Sequence, residues 1–145
     1  MPTPDRPETA ELAHDLRIAC MRVARRVRFD TDGEALIAPH LFSVLARLTT
    51  GPHTSGELAT IEQVSAPTMS RAVGQLVDLG LIERSADEHD GRLVRLSLTP
   101  QGSDLVTSER ARRDAWMTER LEGLSAEERD LLARATTLLE QVVCR

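Results

Sequence analysis

Long apolar segments are missing from this sequence. No run approaches the roughly 18 apolar residues of a membrane span, and the start, residues 1–7, lacks the apolar core of a secretion signal. We therefore expect no membrane partner, a disordered lead over residues 1–7 and a cytoplasmic location. The 145 residues limit the chain to one domain, or to one domain with dimerisation arms.

Cysteine is scarce, and the histidines are scattered. Only Cys20 and Cys144 occur, and a structural disulfide is not expected in a reducing compartment. The histidines form no i, i+4 pair and no Cys cluster joins them, so the sequence predicts no metal site. They are His14, His40, His53 and His89.

Motifs of catalysis are also absent. The chain has no phosphate-cradling glycine loop, no HExxH motif and no nucleophile elbow. Its Ser, His and Asp residues show no spacing that indicates a catalytic triad. The sequence therefore predicts neither an enzyme nor a cofactor.

Lysine is missing, so all 18 basic residues are arginines, and 23 acidic residues bring the net charge to −5. This balance argues mildly against nucleic acid as a partner. It does not exclude DNA, because the local field governs a contact and affinity follows the phosphate charges actually neutralised. Binding would then depend on a few well-placed arginines.

The segment Thr54–Gly102 carries most of the functional information. Thr54 and Glu57 have the spacing of a capping box that opens a short helix, with Leu58, Ala59 and Ile61 as its apolar residues. Ser65 caps a second helix that has Pro67 in its first turn and should run to about Leu79, before Gly80. Two helices joined by a short turn predict a helix-turn-helix unit.

The second helix has two faces. Its apolar stripe consists of Ala66, Met69, Val73, Leu76 and Val77. The opposite face is small or hydrogen-bonding, which suits the approach of a helix to base edges and phosphates. An ordinary solvated face is the alternative interpretation. The residues of this second face are Pro67, Thr68, Ser70, Arg71, Gly74 and Gln75.

A change from helical to alternating periodicity follows this helix. Ile82–Ser85 predicts one strand, and Val94, Leu96 and Leu98 indicate a second. The polar loop between them is the predicted wing, whose Arg92 is suited to a narrow minor groove. Asp90 could hold the Arg92 guanidinium, although a plain hairpin salt bridge explains the pair equally well.

These residues together resemble the multiple antibiotic resistance regulator (MarR) family. The resemblance is carried by Asp90-Gly91-Arg92, Leu98-Thr99 and Gly102, and by the upstream runs Ser65–Arg71 and Leu79–Arg84. It implies a homodimeric, ligand-responsive transcription regulator on a pseudo-palindromic operator in double-stranded DNA. The candidate DNA-binding residues are Ser65, Pro67, Thr68, Ser70, Arg71, Gln75, Arg84, Asp90 and Arg92.

Apolar helices are predicted on both sides of this segment. They cover about Glu8–Phe29, Pro39–Leu48, Gln101–Glu122 and a last helix capped at Ser125. The first and last helices have little core of their own to cover, so we expect an intertwined homodimer. A monomer that packs these helices on its own core is the alternative. The predicted domains are a first dimerisation helix (8–34), a winged helix-turn-helix (35–100) and C-terminal dimerisation helices (101–145).

The first helix carries five arginines between Arg17 and Arg28, and no acid follows Arg17 until Asp30. A solvated basic face is one interpretation, and an anion site is the other. Because many members of the family respond to aromatic carboxylates or phenols, the resemblance suggests a small aromatic or anionic effector near Arg17, Arg22 and Trp116. Some relatives sense peroxide through a cysteine near Cys20, but they pair it with tyrosines, which this chain lacks.

The sequence thus predicts a mainly α fold with a small β-hairpin wing, that is, a winged helix-turn-helix with long N- and C-terminal dimerisation helices. The predicted function is that of a homodimeric repressor released by an effector. A protein-interaction module that has lost operator binding and an activator of the same fold remain alternatives.

Overall fold

The structure, a computed structural model, describes residues 8–29 and 36–144. The predicted lead at 1–7 and the predicted boundary between residues 34 and 35 lie outside this range. Of the described residues, 36–111 form one compact unit, here the winged unit, and 8–29 with 112–144 form a second, the helical unit. The elements are α1 (Thr9–Phe29), α2 (Pro39–Leu48), α3 (Ser55–Glu62), α4 (Ala66–Asp78), β1 (Ile82–Ala86), β2 (Val94–Leu98), α5 (Pro100–Glu122) and α6 (Ala126–Val143).

Local hydrogen bonds set the ends of the helix-turn-helix. The Thr54 hydroxyl accepts from the Glu57 N–H at 3.1 Å, and the Glu57 carboxylate accepts from the Thr54 N–H at 2.9 Å, which confirms the predicted capping box. Gln63 turns the chain in the left-handed conformation, with φ 54°. Gly80 does the same after α4, with φ 72°.

The core of the winged unit lies between α2, α3, α4 and the hairpin. Leu45, Leu58, Leu76 and Leu96 are fully buried, and Met69 and Val73 join them from α4. The predicted buried stripe of α4 is wrong at Ala66, which is exposed, and the apolar Ile61 of α3 is exposed as well. Ala66 stands in the first turn of α4, and Ala72 joins the buried stripe instead.

The wing is a two-stranded antiparallel sheet. Ile82 pairs with Leu98 and Ala86 with Val94, so β1 continues one residue beyond the predicted Ser85. His53 extends this sheet through an isolated bridge: its N–H donates to the Leu96 carbonyl at 3.1 Å, and the Leu96 N–H donates back at 2.8 Å. Because Thr54 follows directly, the start of α3 is attached to β2.

The helical unit differs from the winged unit in its burial. Neither α1 nor α6 contains a buried residue among those described. Their large apolar side chains are exposed instead, including Leu12, Leu16, Val23, Leu131, Leu138 and Val142. The predicted cap at Ser125 is confirmed at the start of α6, where Ser125 and Glu128 form a capping box. In the described part of the chain, no helix has the length and apolar character needed to cross a membrane.

Candidate nucleic-acid interface

The N-terminal turn of α4 is exposed and locally constrained. The Ser65 hydroxyl accepts from the Thr68 N–H at 3.3 Å and lies 2.8 Å from the Thr68 hydroxyl. Pro67 stands between them, where its missing N–H costs no helical hydrogen bond. These three candidates therefore form one exposed surface at the positive end of the helix dipole, with the polar groups of Ser65 and Thr68 on it. Such a helix end favours a phosphate.

Ser70, Arg71 and Gln75 continue this exposed surface along α4. Arg84 reaches the same region from β1, because Ser70 and Arg84 line one cavity of about 200 Å³ between the helix and the hairpin. The fold thus brings candidates from two elements together. The apolar stripe on the opposite side of α4 fixes which face points outward.

The wing loop differs from the sequence-based prediction at Asp90. Its carboxylate accepts a hydrogen bond from the backbone N–H of Arg92 at 3.0 Å, and it does not hold the Arg92 guanidinium. The spacing of two residues suits an Asx turn, in which the short Asp side chain reaches only the backbone. Asp90 therefore shapes the loop, and the Arg92 side chain is left exposed.

A charged cluster that the sequence did not reveal lies at the base of the wing. The Arg95 Nε is 2.6 Å from the Asp87 Oδ2, and its Nη1 is 3.2 Å from the Glu57 Oε2. The Arg95 hydrogen bond, followed by the backbone N–H groups of His89 and Asp90, lowers the pKa of Asp87 to about 2. The sequence pointed to Glu57 only as a member of the capping box, and nothing in it indicated that Glu57 would also contact Arg95.

The winged unit has six arginines, of which two form ion pairs and one, Arg110 on α5, donates to the Thr49 hydroxyl at 3.4 Å. Arg47 pairs with Glu62, and Arg95 pairs with Glu57 and Asp87. Within residues 36–111 as described, three others on α4 and the hairpin are exposed and have no ion-pair partner. These are Arg71, Arg84 and Arg92. Described residues 36–111 carry nine acids against these six arginines, yet three of the four arginines without an ion pair lie on α4 and the hairpin.

The effector candidates lie in the helical unit. Arg17 and Arg22 are exposed on α1. Trp116 is half-buried on α5, where the Arg120 guanidinium lies 3.6 Å from its ring centroid and donates to the Trp116 carbonyl at 3.0 Å. The indole Nε1 is buried and has no hydrogen-bond partner among the described residues. An aromatic or anionic effector at these three residues stays a prediction.

Known transcriptional regulators resemble this chain in sequence. Residues 39–93 match the family model described as the MarR family. The chain is 36% identical over 134 residues to an HTH-type transcriptional regulator of Mycobacterium bovis, covering 92% of this chain and 94% of the relative. A relative from Bacillus subtilis, also an HTH-type transcriptional regulator, is 32% identical over 69 residues, which is 48% of this chain and 42% of the relative.

Solved structures share the fold over nearly the whole chain. A MarR family protein from Bacillus stearothermophilus superposes with a TM-score of 0.78 at 28% identity, covering 94% of this chain and 95% of the other. A mutant MepR from S. aureus bound to an oligodeoxyribonucleotide superposes with a TM-score of 0.65 at 22% identity, covering 90% and 97%.

Proposed function

The chain belongs to the MarR family of winged helix-turn-helix transcriptional regulators, and we propose that it is a homodimeric repressor that occupies a pseudo-palindromic operator and is released by a small-molecule effector. The observation that carries the proposal is the set of exposed, unpaired arginines on α4 and the hairpin: Arg71, Arg84 and Arg92. Because DNA is the site of action, the protein would work in the cytoplasm.

The proposed contacts follow the two elements of the interface. The N-terminal half of α4 enters the major groove, where Ser70, Arg71 and Gln75 reach base edges and the polar first turn meets phosphate. The wing places Arg92 in the adjacent minor groove, whose narrow A·T tracts attract arginine. Arg84 contacts the backbone between the two grooves. The MepR mutant, which has a similar fold and was solved bound to an oligodeoxyribonucleotide, supports DNA as the partner.

A dimer is supported by the apolar side chains that α1 and α6 leave exposed in the single chain. In an isologous dimer these faces are covered by the same faces of the second copy. The two α4 helices then lie about one turn of DNA apart, roughly 34–36 Å centre to centre, so that one α4 helix contacts each half of the operator.

Release would work through a shift between two dimer conformations, only one of which fits the operator. An effector bound near Arg17, Arg22 and Trp116 must prefer the non-fitting conformation, because a ligand shifts an equilibrium only by its differential affinity. The exposed guanidinium groups on α1 and the half-buried indole would suit a ligand with an aromatic ring and a negative charge.

The test is a fluorescence-anisotropy titration against duplex DNA from the intergenic region upstream of the protein's own gene. We expect saturation at two chains per site, and a loss of roughly 1–3 kcal/mol for Arg71→Ala and for Arg92→Ala. Arg110→Ala is the matched control, because it removes the same charge from α5 without touching α4 or the wing.

A second candidate function is a protein-interaction module that has kept the fold and lost operator binding. It is favoured by the near-neutral charge of the segment Ser65–Arg95, which contains four arginines and five acidic residues. It predicts that no duplex from the genome is preferred and that both arginine variants behave like wild type. Whether an operator-binding protein represses or activates is decided by measuring transcript levels in a deletion strain.

A further inference from the structure

The charged cluster at the base of the wing connects two elements that are distant in sequence. Arg95 of β2 and Glu57 of α3 lie 38 positions apart, yet the Arg95 Nη1 is 3.3 Å and 3.2 Å from the two Glu57 carboxylate oxygens. The same guanidinium donates through Nε to Asp87, where the wing loop leaves β1. One side chain therefore bridges the helix-turn-helix and the wing.

Both carboxylates also accept hydrogen bonds from backbone N–H groups. The Glu57 Oε2 accepts from the Thr54 N–H and so holds the first turn of α3. The Asp87 Oδ1 accepts from the N–H groups of His89 and Asp90 at 2.8 and 2.9 Å. The orientation that Arg95 imposes on these carboxylates is thus transmitted to the capped helix on one side and to the wing loop on the other.

The loop hydrogen bonds continue from Asp87 to the wing arginine. Asp90, whose N–H is held by Asp87, accepts from the Arg92 N–H through its side chain and from the Leu93 N–H through its carbonyl, at 3.0 and 2.9 Å. An isolated two-stranded hairpin is only marginally stable. The position of the Arg92 backbone therefore depends on this series of contacts, which starts at Arg95.

From these contacts we propose that Arg95 is a positioning residue for DNA binding: it clamps the wing to α3 through Asp87 and Glu57, so that Arg92 is presented at a fixed place relative to α4. The proposal rests on the proposed function, because it assigns Arg95 no contact with DNA of its own. Preorganisation of this kind strengthens binding by reducing the ordering that the complex requires.

Both carboxylate partners of Arg95 are ionised at neutral pH. The Asp87 side chain is only 12% exposed, and its pKa of about 2 keeps it ionised. The pKa of Glu57 is lowered as well, first by its hydrogen bond with the Thr54 backbone and further by Arg95. A lysine at position 95 would keep the charge but could not reproduce the fork that reaches both carboxylates.

The first arm of the test needs no DNA. Amide hydrogen exchange of His89, Asp90 and Arg92 is measured in the free protein for wild type, Arg95→Met and Arg95→Lys. We expect Arg95→Met to speed exchange at these amides by on the order of tenfold, with Arg95→Lys between the two. The control is Arg47→Met, which removes the Arg47–Glu62 ion pair elsewhere in the unit and should leave the wing amides unchanged.

The second arm is a double-mutant cycle on a duplex that wild-type protein enriches from a randomised pool. Arg95→Met should weaken binding by about tenfold in the wild-type background. In the Arg92→Ala background the loss should shrink to less than about twofold, because the arginine that the clamp positions is gone. Arg95→Lys should restore part of the affinity.

The outcomes separate this proposal from the proposed function. Unchanged wing exchange in Arg95→Met overturns the clamp, and so does an equal loss of affinity with and without Arg92, which would indicate direct phosphate contact or general destabilisation. If wild type enriches no duplex, the proposed function fails, and the exchange arm alone decides whether Arg95 holds the wing.

Discussion

Gly102 stands where two segments of backbone approach each other. A Cβ at this position would lie 2.0 Å from the Leu81 carbonyl oxygen, closer than any real contact. The Gly102 N–H donates to the Thr99 hydroxyl, which in turn donates to the Gly80 carbonyl at 2.6 Å. The end of α4 and the start of α5 are therefore packed too tightly for any side chain.

We expect Gly102→Ala to lower the free energy of unfolding by about 1–3 kcal/mol, because the backbone must move to accept the added methyl group. Urea denaturation followed by circular dichroism measures this. Gly56→Ala is the control, since its nearest neighbour would be 3.9 Å away, and it should be neutral or slightly stabilising. Equal stability of Gly102→Ala and wild type would contradict the close approach.

Gln63 adopts the left-handed conformation between α3 and α4, with φ 54° and ψ 44°. This conformation is strained for side chains with a Cβ and most costly for β-branched ones. Gln63→Val should therefore destabilise the protein by about 1 kcal/mol, whereas Gln63→Gly should be neutral or stabilising. Thermal unfolding of the two variants tests whether Gln63→Val is the less stable. A valine variant as stable as the glycine variant would refute the prediction.

At the scale of elements, the wing depends on charge as well as on backbone pairing. Asp87 faces Arg95 on β2, with Glu57 of α3 and His89 of the loop nearby. Its folded-state pKa of about 2 lies below the ordinary 3.8. As pH falls, the unfolded chain therefore takes up the proton first. The stabilisation by Asp87 is complete above about pH 4 and is lost between pH 4 and 2.

The expected result is that Asp87→Asn is less stable than wild type at pH 6 and that this difference shrinks as the pH falls from 4 towards 2. Urea midpoints at a series of pH values give the comparison. Arg95→Met should flatten the same part of the pH profile, because the Arg95 hydrogen bond is the first cause of the lowered pKa. A stability difference that stays constant down to pH 2 would show that Asp87 acts without its charge.

At the scale of the whole molecule, α1 and α6 lack buried residues within the described chain. Leu138 on α6 is 61% exposed. If a second copy covers this face, Leu138→Asp removes two buried leucines from one dimer and should weaken association by roughly 3–6 kcal/mol. Sedimentation velocity should then show monomers for Leu138→Asp and dimers for wild type.

Thr136→Asp is the control for this experiment, because it places the same charge at an exposed polar position of the same helix. It should remain dimeric. A wild-type protein that sediments as a monomer at all concentrations would contradict the dimer itself, and with it the two-fold match to a palindromic operator.

The sequence alone determined the order of the elements and the outward face of α4. Capping boxes at Thr54 and Ser125, the cap at Ser65 and the periodicity of α4 act within a few residues, where side chains meet neighbouring backbone directly. The DNA-binding candidates were identified from the same short-range patterns, and their roles remain predictions. The family resemblance depended on the same local motifs.

Only the tertiary structure decided which residues of distant elements meet. The Asp90 carboxylate reaches the Arg92 backbone within one local turn. By contrast, the register of the sheet, together with the His53–Leu96 bridge, brings Arg95 to Asp87 and Glu57. Such contacts depend on how strands pair and helices pack, which is set by the burial of the whole core and not by local spacing. The clamp at the wing could therefore be recognised only in the folded chain.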